Sequence, residues 1–281
     1  MKFWRSSTSQ PEPPKFGVTD LAGPDGRVAL LPDPDVAAAR SAAPDVDGLR
    51  LASTGWTARK VESTDLELWS KSIADGYEAA DLWQQWRDDH ARTGLWPILV
   101  EESFWEAVEL PDQHPTATAT ATTGQDWLLS RLYAPEAPLA DQIPRGVQPA
   151  LDFDTTGSFD WADALASTLT PATELVLIPA AAGWLVPEAL YWDGAVNNEV
   201  MGADHTVVLR RWAGRYGAQL VGLDRDVLTL RVDSPPATVA DARLAAVEAT
   251  AYCSDAVFQG AETLENLTEM MCQSLWSFWW D

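Results

Sequence analysis

Residues Leu66 to Val100 read LELWSKSIADGYEAADLWQQWRDDHARTGLWPILV. Leu66-Glu67-Leu68-Trp69 alternates as a strand does, and Ala79, Leu82, Trp83, Trp86 and His90 then recur at helical spacing until Gly94 offers a stop. Leu95-Trp96-Pro97-Ile98-Leu99-Val100 is a continuous apolar run of strand length. Strand, helix and strand joined by short links form a βαβ unit near residues 66–100, which predicts a parallel strand pair covered by a helix.

Working toward the C-terminus, helical periodicity returns at Asp126 to Tyr133 and Phe159 to Leu169, and Glu174 to Pro179, ELVLIP, is another buried-strand run. Asp204 is predicted to cap a helix ending at Tyr216, with Val208, Leu209, Trp212 and Tyr216 inward and Arg210, Arg211 and Arg215 mostly outward. Alternation on both sides of Asp224-Arg225 predicts a hairpin over Gln219 to Val232. Thr238 and Asp241 resemble a capping box opening a long helix with Ala240, Leu244, Val247, Ala251 and Phe258 on one face. After a short helix at Leu264 to Met271, Leu275 to Trp280 has large apolar groups on both faces, which predicts a strand buried on both sides. The expected fold is therefore α/β (α+β), a mixed sheet of about five to six strands with helices packed on its faces.

The N-terminal part is harder to read. Met1 to Gly17, rich in Ser and Pro, reads as a disordered tail. Val18 to Glu62 reads as an accessory segment, with short apolar pieces at Val28 to Leu31 and Leu49 to Ala52 forming short strands or irregular structure. The α/β domain then occupies residues 63–281, interrupted by a loop over 113–124 that contains the low-complexity PTATATATT.

Composition narrows the function classes. Across 281 residues, Lys and Arg total 19 against 42 Asp and Glu, a formal charge of -23. That charge opposes direct nucleic-acid binding and anionic membranes, and it suits a basic protein partner. Hydrophobic residues reach 46%, with 15 Trp, which excludes an acidic disordered chain. Met1 to Pro14 lacks an apolar leader core and no apolar run approaches the length of a membrane span, so the expected compartment is the cytoplasm. Cys253 and Cys272 are too few for a disulfide framework and are read as reduced, helix-packed thiols.

Four segments resemble a bacterial family, domain of unknown function 4253. They are Ala182-Gly183-Trp184-Leu185-Val186-Pro187, the stretch from Leu209 to Ala218 (LRRWAGRYGA), the stretch from Tyr252 to Gly260 (YCSDAVFQG) and Trp276-Ser277-Phe278-Trp279-Trp280-Asp281. Thr93-Gly94-Leu95-Trp96-Pro97 is similar as well, so the resemblance extends over roughly Leu66 to Asp281. The family usually carries a Gly-Trp-Asn stretch ending in Cys-Pro, whereas Gly194 to Val200 keeps an Asn and lacks that Trp, Cys and Pro. The resemblance implies a shared fold and no particular activity.

Candidate sites are few. Asp255 and Gln259, four apart, are predicted to share a partly inward helix face, where a half-buried carboxylate serves as a general acid or base, with Asn197 as a third member. The competing structural reading pairs Asp255 with Arg211 or Arg215, and it is preferred. Cys253, His205 and Asp255 compose a conceivable nucleophile, base and orienter, against a packed thiol in mid-helix. His90, His114 and His205 show no zinc-ligand spacing, and phosphate-loop and nucleophile-elbow patterns are missing, so neither metal nor cofactor is expected. The tryptophans read as core rather than as a stacking surface. The leading expectation is a non-enzymatic interaction or regulatory module with an acidic surface. The alternatives are an enzyme with a cleft around Asp255, Gln259 and Asn197, and a mimic of nucleic-acid charge.

Overall fold

The computed structural model describes residues 15–37, 48–109, 123–147, 160–170 and 173–281. Its strands, in chain order, are β1 Lys15–Phe16, β2 Thr57–Val61, β3 Leu66–Ser72, β4 Leu95–Val100, β5 Gly146–Val147, β6 Glu174–Pro179, β7 Ala218–Leu223, β8 Val227–Val232 and β9 Leu275–Trp279. All but β1 and β5 form one seven-stranded sheet in the order β2-β3-β6-β4-β7-β8-β9. Every pairing is antiparallel except that of β4 with β7, which run in parallel with Leu99 opposite Gly222.

The βαβ reading is right in direction and wrong in adjacency. The helix Gly76–Thr93 joins β3 to β4, and both strands run the same way, but β6 lies between them and is antiparallel to each. Leu175 to Ile178 of β6 are buried on both faces, so the run suits a central strand, and local sequence carries no signal of which distant strand inserts. The helix begins where the Asp75 carboxylate accepts from the Tyr77 and Glu78 N–H groups. It ends at Gly94, whose φ of 67° is the left-handed region glycine tolerates.

Helices cover both faces of the sheet. On one, Leu68, Ile98, Val176, Leu230, Trp276 and Phe278 share a core with the helices Gly202–Tyr216 and Val239–Tyr252. On the other, Leu95, Leu99, Leu175, Leu177 and Val221 meet Ala79, Ala80 and Trp83 of Gly76–Thr93 and Leu165 of the helix Trp161–Thr168. Pro97 sits in central β4 without an N–H to give. It lies opposite Leu177 of β6, and on the β7 side the Leu220 carbonyl accepts the Trp96 indole Nε1–H at 2.9 Å.

Several expectations need correcting. Thr57–Val61 pairs with β3 and brings the sheet to seven strands, and Leu49 to Ala52 lies in the helix Gly48–Ser53. Met1 to Pro14 and most of the 113–124 loop lie outside the described residues. Lys15 and Phe16, assigned to the tail, pair with Val147 and Gly146. Asp204 is the third residue of its helix rather than the cap, and its carboxylate accepts the Met201 N–H at 3.1 Å. Arg211 faces inward because Glu248 on the neighbouring helix offers a buried carboxylate. The helix opened by Thr238 stops at Tyr252, where Cys253 turns extended at φ -136°; Cys253 is thus a C-cap and not mid-helix. Phe258 falls in the following π-helical turn Ala256–Ala261 and is exposed, as is Ala240. β9 is an edge strand buried on one face. Trp276, Phe278 and Trp280 point inward, while Ser277 and Trp279 face out. Alternating aromatics mark which residues share a face but not whether a second layer covers the other one. Among the described residues, no helix is long and apolar enough to cross a membrane.

Candidate functional site

Asp255 and Gln259 do meet, but on the π-helical turn. The Asp255 carboxylate accepts from Gln259 Nε2 at 3.1 Å, from Asn198 Nδ2 at 3.3 Å and from the Asp281 backbone N–H at 3.2 Å. The predicted partner Asn197 is exposed. Its neighbour Asn198 reaches the carboxylate, at the end of the 3-10 turn Val196–Asn198, which Glu199 closes at φ 57°. The expected pairing of Asp255 with Arg211 or Arg215 is not formed, because Arg211 is taken by Glu248 and Asp33. Asp255 therefore ties three segments together: the Asn198 turn, the turn after Tyr252 and the last residue of the chain. Backbone turns, which no spacing rule encodes, decided which Asn arrives.

Cys253, His205 and Asp255 are not linked as a relay. Cys253 Sγ donates to the Trp279 carbonyl at 2.9 Å, and burial pushes its thiol up to about 12, far from the thiolate that attack requires. His205 is fully buried, with ring centroids 4.9 Å from Trp192, 5.5 Å from Tyr252 and 5.7 Å from Trp280. Its Nδ1 shares a 2.5 Å hydrogen bond with the Tyr252 hydroxyl. Desolvation lowers the imidazole to about 3 and raises Tyr252 well above its usual value, so both are neutral in the fold.

That environment fixes a pH dependence. As pH falls from about 6.5 toward about 3, the unfolded chain gains a proton that folded His205 does not take, so stability is held above that window and lost within it. The loss attributable to His205 approaches about 1.4 kcal/mol per pH unit. Denaturant melts of the wild type and His205→Gln, which cannot titrate, are expected to show a shallower acid loss in the variant. Identical slopes would contradict a neutral buried imidazole.

The arrangement best suited to a partner lies at the C-terminal ends of the parallel pair β4 and β7. Glu101 directly follows β4, while Asp224 and Asp226 form the β7–β8 turn. Ser103 Oγ donates to Asp224 Oδ1 at 2.5 Å, and the Arg225 N–H donates to the same oxygen at 2.9 Å, fixing the carboxylate in place. Partial burial raises the Asp224 pKa; the Ser103 bond opposes this, and the fields of Glu101 and Asp226 add to it. Behind the turn, Trp192 Nε1 donates to the Asp224 carbonyl at 2.6 Å. From Glu101 and Asp224, with Asp226 beside them in the turn, a groove of about 250 Å³ runs past Gly222, Thr229 and Ser277. Small side chains on β7 to β9 leave it open. Chemically it offers acids, one of them held in place, beside a shallow and mostly apolar trough lined by Leu99, Leu165, Leu169 and Leu275, fit to hold a cationic side chain and the aliphatic chain that carries it. Sequence reading missed Glu101, Asp224 and Asp226, although two sequence features pointed to them: carboxylates immediately after a buried strand and in a hairpin turn. Among the described residues, no group of three or more His, Cys, Asp or Glu is placed to hold a metal ion.

No curated protein and no solved structure matches this chain. The segment that builds β6 through β9, and with them Asp224, Asp226 and the Asp255 anchor, does have relatives: residues 174–281, the C-terminal part of the chain, match the family described as domain of unknown function (DUF4253).

Proposed function

We propose that this protein is a cytoplasmic, non-enzymatic interaction module that takes a basic partner on its acidic surface, with the groove beside Glu101, Asp224 and Asp226 as the docking point. The observation that carries the reading is where the charge sits. Of the described carboxylates only Asp204, Glu248, Asp255 and Glu265 are buried, which supports a surface that carries much of the -23 charge. Complementary charge speeds encounter and selects against wrong partners, and its effect weakens with salt. The candidates for catalysis support the same reading, because Cys253, His205 and Asp255 are each bonded into the core framework.

The test is binding of a Lys- and Arg-rich peptide to the wild type and to the triple variant Glu101→Gln, Asp224→Asn, Asp226→Asn. The amides keep an acceptor for Ser103 and remove three charges from one place. The variant is expected to bind roughly tenfold or more weakly at low salt, with the gap closing as salt rises. Equal binding by both proteins would move the partner surface elsewhere.

A further inference from the structure

A second cavity, of about 280 Å³, lies at the opposite end of the parallel pair, between Arg87 and His90 of the helix Gly76–Thr93 and the Ala181 to Trp184 turn. Its floor is Trp96, Gln219 and Leu220, at the start of β4 and β7. The geometry points to this cavity as a binding site for a small carboxylate with a flat apolar body, held through the Arg87 guanidinium.

Arg87 is set for such a ligand by its surroundings. Its guanidinium lies 4.6 Å from the Trp96 ring centre, and its Nε donates to Gln219 Oε1, so the planar group is held on an aromatic face. Among the described residues, no carboxylate is within ion-pair distance of it. The two acids whose field reaches it bond other groups, although Asp233 itself lines the cavity at its Gln219 end. Asp233 accepts from Gln219 Nε2 at 2.6 Å and pairs with Arg231 at 2.8 Å, and Asp88 accepts from Gln84 at 2.8 Å. A half-buried cation with no carboxylate in direct contact loses hydration that the more distant fields of Asp88 and Asp233 offset only in part, since burial still lowers its pKa, and a bidentate carboxylate supplies the missing contact.

The rest of the cavity sets the class of ligand. Trp96, Trp184, Leu209 and Ala213 give apolar walls, so the body beyond the anion is apolar and flat enough to lie along indoles. His90 Nε2 donates to the Ala180 carbonyl at 2.8 Å, and desolvation lowers the His90 pKa, so His90 adds no second cation. One guanidinium in a strongly negative protein suits a monoanion and disfavours a phosphate dianion. The volume falls just below that of drug-sized pockets, which limits the occupant to roughly one ring and its acid group. Gly183 is required for the close approach, since a Cβ there would overlap the Trp96 ring.

The experiment titrates benzoate, benzamide and phenyl phosphate into the full chain, followed by ligand-observed NMR and calorimetry, for the wild type, Arg87→Met and Ala213→Phe. Benzoate is expected to bind at roughly millimolar affinity or better. Benzamide should bind at least about tenfold more weakly, and Arg87→Met should cut benzoate affinity by at least about tenfold. Ala213→Phe, which fills the cavity and leaves Arg87 in place, should abolish binding and serves if Arg87→Met misfolds. Both variants should still take the Lys- and Arg-rich peptide, so this site and the acidic groove stand or fall separately. No benzoate binding, binding unchanged in either variant, or preference for benzamide or phenyl phosphate would overturn the assignment.

Discussion

Glu248→Ala is expected to lower the unfolding free energy by about 3–5 kcal/mol, a large part of the roughly 5–15 kcal/mol that holds a typical domain together. Glu248 and Arg211 are both completely buried, joined by Nη2 to Oε1 at 2.7 Å and Nε to Oε2 at 3.2 Å. Trp212 Nε1 donates to Glu248 Oε2 at 2.8 Å, and Asp33 takes Arg211 Nη1 at 2.6 Å from the N-terminal side. Burial acts against the guanidinium, yet its bonds to Glu248 and Asp33 outweigh that and raise its pKa. Removing Glu248 leaves a dry cation and an indole N–H without an acceptor, and each carries its own desolvation cost. The double variant Arg211→Met, Glu248→Gln removes both charges and keeps an acceptor for Trp212, so it should be more stable than Glu248→Ala. Urea denaturation checks both. A cost below about 1 kcal/mol for Glu248→Ala would mean that water reaches the pair.

Truncation after Ser274 is expected to abolish cooperative folding. β9 and the residue after it contribute Trp276, Phe278 and Trp280 to the main core, where Phe278 stacks on Trp212 at 5.2 Å and Trp280 packs 5.2 Å from Tyr252. At about 1.5–3 kcal/mol for each buried aromatic side chain, the three together rival the whole stability of a domain. The same cut removes the Asp281 N–H from Asp255 and the Trp279 carbonyl from Cys253. A truncated chain with a cooperative thermal melt and an unchanged circular dichroism spectrum would show that this strand is dispensable. The outward residues Ser277 and Trp279 would then become candidates for partner contact in their own right.

Both predictions rest on contacts that the sequence conveyed unequally. Helix Gly76–Thr93 and strands β4, β6, β7 and β8 were legible because period, caps and turn residues agree locally. Arg211 was misplaced because a helical wheel ranks arginine outward, and only a carboxylate 37 positions away reverses that ranking. The insertion of β6 between β3 and β4 depends on long-range pairing, which leaves no local trace. At the predicted site, Gln259 and Asn198, rather than Asn197, donate to the Asp255 carboxylate, because a backbone turn decides which Asn arrives. The acidic groove went unread because it forms where the ends of β4 and the β7–β8 turn converge, and that convergence follows from the single parallel pairing in the sheet.

The most direct test of an acidic docking groove uses the Trp192 indole as a reporter, since its Nε1–H is bonded to the Asp224 carbonyl. In amide and indole NMR spectra of the labelled protein, a Lys- and Arg-rich peptide should shift the Trp192 Nε1 signal saturably. The amides of Glu101 to Ser103 and Asp224 to Val227 should move with it, while those of the distant edge strand β2 stay in place. Saturable shifts centred elsewhere, for example on the Asp75, Asp160 and Asp163 carboxylates around Tyr77, with Trp192 unmoved, would contradict the account.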